Sequence, residues 1–275
     1  MKLHELIKAA FEHDADSTIK EAMLYSLGGK SKQLRSQLIL AMLEDYGVEA
    51  MFGYPSAIAL EMIQTYSLIH DDLPAMDDDG WRRNQLSNHK QYDEATAILA
   101  GDGLLTKAME VIVTSEYDAA LKVAILNELT LASGINGMIL GQHYDMQAHH
   151  LKHNNDVLKM YSLKTGMLFG AALAIGAHLS NQGYLVDNYR TIGQSLGVAF
   201  QIQDDLFDLD KSEAQLGKSK SDMENEKITI VTLSGRKAAI YLMTNTLNDV
   251  IESLKRMHQH DYVLTLIESI KQRGY

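Results

Sequence analysis

The chain has 275 residues, which suits one or two domains with a sizeable core. It is 46% hydrophobic and 22% charged, ordinary for a globular protein, and its net charge of −11 argues against nucleic acid, whose phosphates need a basic face. No cysteine is present, which excludes disulfides, thiolate zinc sites and cysteine nucleophiles and fits a reducing, cytoplasmic compartment. The opening MKLHELIKAAFEHDADS lacks the apolar run of a secretory signal. The absence of an uninterrupted stretch of about 20 apolar residues predicts no membrane span. Only Pro55 and Pro74 are prolines, and Ala, Leu, Met, Glu, Gln and Lys recur, so long helices joined by short loops are expected.

Helical periodicity is nearly continuous and no strand alternation is evident, so the fold class is all-α. Helices are expected over 2–12, from 18 onward with Thr18 and Glu21 as a capping box, over 31–46 with Gly47 just past the end, and over 55–73. A polar segment covers 77–93. Further helices are expected over 94–114, 117–150, 155–179, 186–210, 220–233, 236–256 and 261–273. The stretches 55–73 and 186–208 are apolar around most of their circumference, which places them at the centre of a bundle. No Gly/Ser/Pro linker divides the chain, so a single domain over 1–275 is expected.

Both central helices end in the same phrase. One reads Ile69-His70-Asp71-Asp72-Leu73 followed by Asp77; the other reads Ile202-Gln203-Asp204-Asp205-Leu206 followed by Asp208. Acidic runs are usually solvated helix faces, but these follow core-like residues, and unpaired buried carboxylates are very costly. Asp204 and Asp208 stand at i and i+4 on one helical face. Asp71 and Asp72 reach the same rim as Asp77 if Pro74 distorts the turn between them. Six such acids gathered together repel unless a cation bridges them. Oxygen-only donors favour a hard ion, Mg²⁺, which usually shares its shell with a substrate phosphate.

The basic residues fit phosphate as well. Lys30, Lys32 and Arg35 cluster in GGKSKQLR, Arg82 and Arg83 follow the first motif, Lys164-Thr165 lies in SLKTG, and Lys218, Lys220 and Lys227 follow the second motif. As a set they predict two anion sites, one bridged by metal and one held directly by Lys and Arg.

With GGKSKQLR, YSLIHDDLPAMDDDGWRR, AILAGDGLL, GQHYD, LKTG, FQIQDDLFD and LGK in hand, the chain resembles the trans-isoprenyl diphosphate synthases, the polyprenyl synthetase family. It is most similar to the short bacterial farnesyl diphosphate synthases, over about Gly28 to Gly235. The resemblance implies an isoprenoid-synthase helical bundle around a deep central pocket, three Mg²⁺ ions and a homodimer. It implies metal binding by Asp71, Asp72 and Asp77 and by Asp204, Asp205 and Asp208, with the leading Asp of the second motif the family's ligand there. Arg82, Lys164, Lys218 and Lys227 match positions that hold the allylic diphosphate. Lys32, Arg35, Gln64 and Arg83 match positions that hold isopentenyl diphosphate. Thr165 and Gln201, with the Lys164 carbonyl, match positions beside the reacting allylic carbon.

Some residues depart from the family pattern. Aligned on Leu34-Arg35, Lys32 takes the family lysine position; aligned on Gly28-Gly29, Lys30 does. Gln33 replaces an Arg, Ser36 a Pro, Asn84 the Gly of RRG and Leu86 a Pro, while Gln64 stands where many relatives have His.

The implied reaction is head-to-tail condensation of isopentenyl diphosphate with dimethylallyl and then geranyl diphosphate to farnesyl diphosphate. Departure of diphosphate leaves an allylic cation, and the released diphosphate takes the proton, so no side chain is needed as base. His70, beside Asp71, is expected to be structural. Tyr66, five residues before Asp71, lies about 7.5 Å deeper along the helix and, with Ser67, would set chain length. An aromatic ring there, with the two-residue insertion within Leu-Pro-Ala-Met, goes with a C15 product in this family. The alternatives are geranylgeranyl diphosphate synthesis, a non-catalytic regulatory subunit of this fold, and a class I terpene cyclase. The second motif DDLFD with Lys32 and Arg35 speaks against the cyclase, and the two intact aspartate motifs speak against the regulatory subunit.

Overall fold

In this computed structural model the chain is described at residues 3–29, 31–214, 228–258 and 260–272, with side chains at all of these except 209–214. Lys30, Lys218, Lys220 and Lys227 lie outside the described residues. The architecture is all-α, and the helices gather into two compact units: 1–127 with 178–181, and 128–177 with 182–275.

The first unit is built around α4 (Tyr54–Asp71), whose Ala57, Ile58, Ala59, Leu60, Met62 and Ile63 are all buried. Pro55 sits in its first turn, where a missing N–H costs nothing. Around α4 pack α1 (Leu3–Ala9), α2 (Thr18–Gly28), α3 (Leu34–Asp45) and above all α6 (Glu94–Thr114), which contributes Ala97, Ala100, Leu104, Ala108 and Ile112. Burying such side chains stabilises a fold by about 25 cal/mol per Å² of apolar surface. The cap of α2 is Ser17, whose hydroxyl accepts from Lys20 N, and not the expected Thr18–Glu21 box. The N-cap of α3 is Gln33 in a left-handed conformation, so that helix starts three residues later than expected.

The polar segment holds structure that hydrophobic periodicity could not show. Trp81–Arg82 (β1) and Gln85–Leu86 (β2) form an antiparallel hairpin, and α5 (Asn88–Gln91) follows. Arg83 and Asn84 both have positive φ, as a two-residue type I′ turn requires, and Asn tolerates that region well. The Gly-to-Asn departure in RRN therefore keeps the turn.

The expected helix over 117–150 is broken into α7 (Ala119–Ser133) and α8 (Met138–Met146), with Gly134 and Gly137 between them. A Cβ at Gly137 would meet the Ala132 carbonyl at 2.3 Å.

In the second unit α9 (Asn154–Tyr161) leads through a π turn, Ser162–Gly166, into α10 (Met167–Leu179). Then come α11 (Val186–Ala214), α12 (Ile230–Ser234), α13 (Arg236–Met257) and α14 (Asp261–Lys271). The deepest helix here is α10, where Leu168, Phe169 and every residue from Ala171 to Ile175 are buried; α11 exposes Asp187 and Thr191. The run from Met167 to Ala177 carries no charge, whereas α11 carries Asp187 and Arg190. Gly166 and Gly197 let the π turn and α11 approach closely, since a Cβ at Gly197 would lie 2.6 Å from Gly166 Cα.

By length and composition Ala119–Met146 and Asn154–Leu179 are apolar enough to cross a membrane, which the search for one uninterrupted apolar run missed. In the second, 78% of the most apolar window is buried inside the protein, as in a core helix.

Candidate functional site

In the first unit α4 stops where Pro74 removes a backbone donor and crowds the His70 carbonyl. The chain turns back tightly. Leu73 N donates to the His70 carbonyl at 3.2 Å and Asp77 N to the Asp71 carbonyl at 2.9 Å, which returns the third acid of the motif to the first. Asp72 is buried, and Arg82 grips it from the hairpin through Nε at 2.9 Å and also through Nη2. The Arg82 Nη2 reaches Asp79 as well, at 2.9 Å. Burial pushes the Asp72 carboxyl up, and the guanidinium pulls it back.

His70 is held by structure. Its Nε2 donates to the Ile98 carbonyl at 3.0 Å, and its ring occupies the space that a side chain at Gly101 would need. Tyr66 is buried and meets the His70 ring edge-on at 5.9 Å. Burial, and then the Asp71 carboxylate, raise its phenol to about 12. Ser67 donates to the Gln64 carbonyl within α4.

The hairpin is tied to α2 by Tyr25 Oη donating to the Leu86 carbonyl at 2.8 Å and by Asn88 Nδ2 donating to Ser26 Oγ at 2.8 Å. This brings Arg83 under the Gly28-Gly29 turn, where a Cβ on Gly29 would meet Arg83 Cδ at 3.3 Å. Burial lowers the Arg83 pKa, and buried Glu61 opposes that. Ser36, the residue standing for the family proline, is fully buried; its hydroxyl donates to Glu61 Oε1 at 2.7 Å and lies 2.9 Å from the Ala57 carbonyl. Lys32 is exposed, and Arg35 and Gln64 are half-buried. A cleft lined by Ser26, Thr65, Asp72, Arg82, Arg83 and Asn88 joins the two hairpin arginines.

In the second unit the π turn carries the LKTG phrase. Gly141 of GQHYD permits it, because a Cβ there would meet Lys164 N at 2.2 Å. Lys164 Nζ donates to Asp145, the Asp of the same GQHYD, at 2.5 Å. Thr165 Oγ1 donates to Gln201 Oε1 at 2.8 Å, and Gln201 Nε2 donates to Asp205 Oδ1 at 3.1 Å. Asp204 is half-buried and Asp208 exposed on the same face of α11. Gln203 is buried and anchors α11 by donating to the Ile270 carbonyl at 2.8 Å.

Sequence reasoning missed Tyr161. Its hydroxyl donates to Asp205 Oδ2, and burial and that carboxylate both raise its pKa. The only signal was its place two residues ahead of LKTG, which looks like core packing.

Among the described residues, no three His, Asp or Glu side chains close into a protein-only metal cage. The chemistry of the donor set nonetheless fits Mg²⁺: all six motif side chains are carboxylates, and Mg²⁺ commonly takes one or two of these with water and phosphate completing its shell. Asp72 and Asp205 hold donors of the protein itself.

A polyprenyl synthetase family model matches residues 16–269. Farnesyl diphosphate synthase from Micrococcus luteus is 43% identical over 266 residues, covering 95% of this chain and 91% of the relative. The crystal structure of geranyltranstransferase from Thermotoga maritima superposes with a TM-score of 0.85 at 31% identity, covering 98% of this chain and 95% of that one. Geranyltransferase from Helicobacter pylori, complexed with magnesium and isoprenyl diphosphate, gives 0.83 at 27% identity, covering 98% and 92%.

Proposed function

We propose that this chain, which belongs to the polyprenyl synthetase family, condenses isopentenyl diphosphate with dimethylallyl and geranyl diphosphate to give (E,E)-farnesyl diphosphate. The observation that carries this reading is the 43% identity to a farnesyl diphosphate synthase across 95% of the chain. The site chemistry supports it, since the acids, lysines and arginines suit diphosphates. The one histidine in the acidic motif, His70, is anchored by its Nε2, which donates to the Ile98 carbonyl. We read residues 1–275 as a single polyprenyl synthetase domain.

Three Mg²⁺ ions, when bound, would supply Lewis-acid charge against the departing diphosphate. Asp71 and Asp77 would hold metal in one unit and Asp204 and Asp208 in the other, while Asp72 and Asp205 are steadied by Arg82 and by Tyr161 and Gln201. Arg82 and Lys164, with Lys218 and Lys227, would bind the allylic diphosphate as fixed positive charge; Asp145 holds Lys164 in place. Lys32, Arg35, Gln64 and Arg83 would take isopentenyl diphosphate. Thr165, Gln201 and the carbonyl of Lys164 in the π turn would offer oxygen dipoles to the allylic cation. Tyr66, buried one and a half turns above Asp71, would block growth beyond C15. The chain would act as a homodimer.

The test is incubation of the purified chain with Mg²⁺, labelled isopentenyl diphosphate and dimethylallyl diphosphate, with the products sized after dephosphorylation. A C15 alcohol is expected. A C20 product would make the chain a geranylgeranyl diphosphate synthase, and no condensation by folded protein would favour a regulatory subunit. Chelation of Mg²⁺ is expected to abolish turnover, and sedimentation is expected to give a dimer.

A further inference from the structure

The second unit contains a hydrogen-bond chain whose polarity is fixed at its ends. The backbone N–H of Ile230 can only donate, and it lies 3.3 Å from Tyr161 Oη. The phenol proton therefore points the other way, to Asp205 Oδ2. The second oxygen of Asp205 faces Gln201 Nε2 at 3.1 Å. A carboxylate accepts, so the Gln201 amide turns its NH₂ to Asp205 and its oxygen to Thr165 Oγ1, 2.8 Å away. Thr165 then gives its proton to Gln201, and the remaining lone-pair density of Thr165 Oγ1 is directed away from the chain. Reversing any link would set two donors or two acceptors face to face. Tyr161 is only 3% exposed and Thr165 7%, so the two ends of the chain are shielded from bulk water, while Gln201 and Asp205 between them are half-buried.

We propose that Tyr161 is a positioning residue that, through Asp205 and Gln201, fixes Thr165 Oγ1 with its lone pairs outward as an oxygen dipole for the allylic cation. In this arrangement Asp205 serves the relay and not the metal. The inference rests on the prenyl-transfer reading above. It also ties the second aspartate motif to the start of α12 through one phenol, because the Ile230 N–H belongs to that helix's first turn.

Tyr161→Phe keeps the ring and removes the hydroxyl. The expected result is a fall in kcat of about 10–100-fold, as for loss of orientation at a reacting centre. KM for both diphosphates, the Mg²⁺ concentration at half-maximal rate, and calorimetric affinity for inorganic diphosphate with Mg²⁺ should each stay within about twofold. In the metal-free protein, nitrogen-15 NMR should show the Ile230 amide and the Gln201 side-chain amide exchanging faster in the variant than in the wild type. Asp205→Asn is the second variant, should Tyr161→Phe fold poorly; it should lower kcat without raising the Mg²⁺ requirement. An unchanged kcat in Tyr161→Phe, weakened Mg²⁺–diphosphate binding, or a roughly tenfold higher Mg²⁺ requirement in Asp205→Asn would overturn the proposal. A wild-type chain that condenses but leaves these amides unprotected overturns the relay alone. A wild-type chain that condenses nothing overturns the prenyl-transfer reading, and the proposal with it.

Discussion

Arg82 grips Asp72 through both Nε, at 2.9 Å, and Nη2, so a hairpin guanidinium holds the second carboxylate of the first acidic motif. Asp72 is 2% exposed, whereas Asp77 lies at the surface. The two acids should therefore separate in their effects. Asp72→Ala strips a charge-assisted pair and is expected to cost about 1.5–3 kcal/mol of stability. Asp77→Ala should stay within about 0.5 kcal/mol of wild type in denaturant unfolding. It should still lower turnover by about 10²-fold or more, as loss of a charge-stabilising group does.

Asn84 carries a positive φ in the hairpin turn beside Arg83. Asn84→Gly should leave stability close to wild type. Asn84→Val, whose branched side chain fits that region badly, should cost about 1–2 kcal/mol. Urea midpoints of the three proteins decide this.

Gly101 and His70 occupy each other's space. A Cβ on Gly101 would fall 2.1 Å from His70 Nε2, the atom that donates to the Ile98 carbonyl. Gly101→Ala is expected to cost about 1–3 kcal/mol through overpacking. In a His70→Ala background the same change should cost less than about 0.5 kcal/mol, which a double-mutant cycle measures directly.

The Tyr66 phenol is raised from 10.0 to about 12, first by burial and then by Asp71. Because the folded protein disfavours the ionised form, this contribution is intact below pH 10.0 and is lost as pH climbs towards 12. Tyr66→Phe should lose about 2 kcal/mol less stability than wild type across that window. Tyr66→Ala should lengthen the product towards C20, read by sizing the released alcohols; an unchanged C15 product removes Tyr66 as the floor.

The helices were legible because apolar positions repeat, as at Ala97, Ala100, Leu104, Ala108 and Ile112, or run on unbroken for longer than a strand would, as in 55–73. The hairpin was not, since two-residue strands such as Trp81–Arg82 carry no period; only the turn pair Arg83-Asn84 marks it. The break near Gly134 was hidden by apolar pattern on both sides. At the site, contiguous phrases such as DDLPAMD and QIQDD were easy to read. Tyr161 was not, because its role depends on Asp205 and Ile230, 44 and 69 residues away, meeting its hydroxyl. Lys164 was read as a diphosphate-binding cation, and its bond to Asp145, 19 residues away, was not legible in the sequence.

The π turn at Ser162–Gly166 spends one residue more than a regular helical turn would. Deleting Ser162 would let 154–179 wind as one uninterrupted helix, so the shortened chain becomes more regular. The same deletion turns everything before it by about 100° against everything after it. Tyr161 and Thr165 lie on opposite sides of that cut and would no longer address the same carboxylate–amide pair on α11. A frame-preserving loss of a single codon would thus be nearly silent to secondary structure and severe for chemistry. The quantity this segment has to conserve is its length.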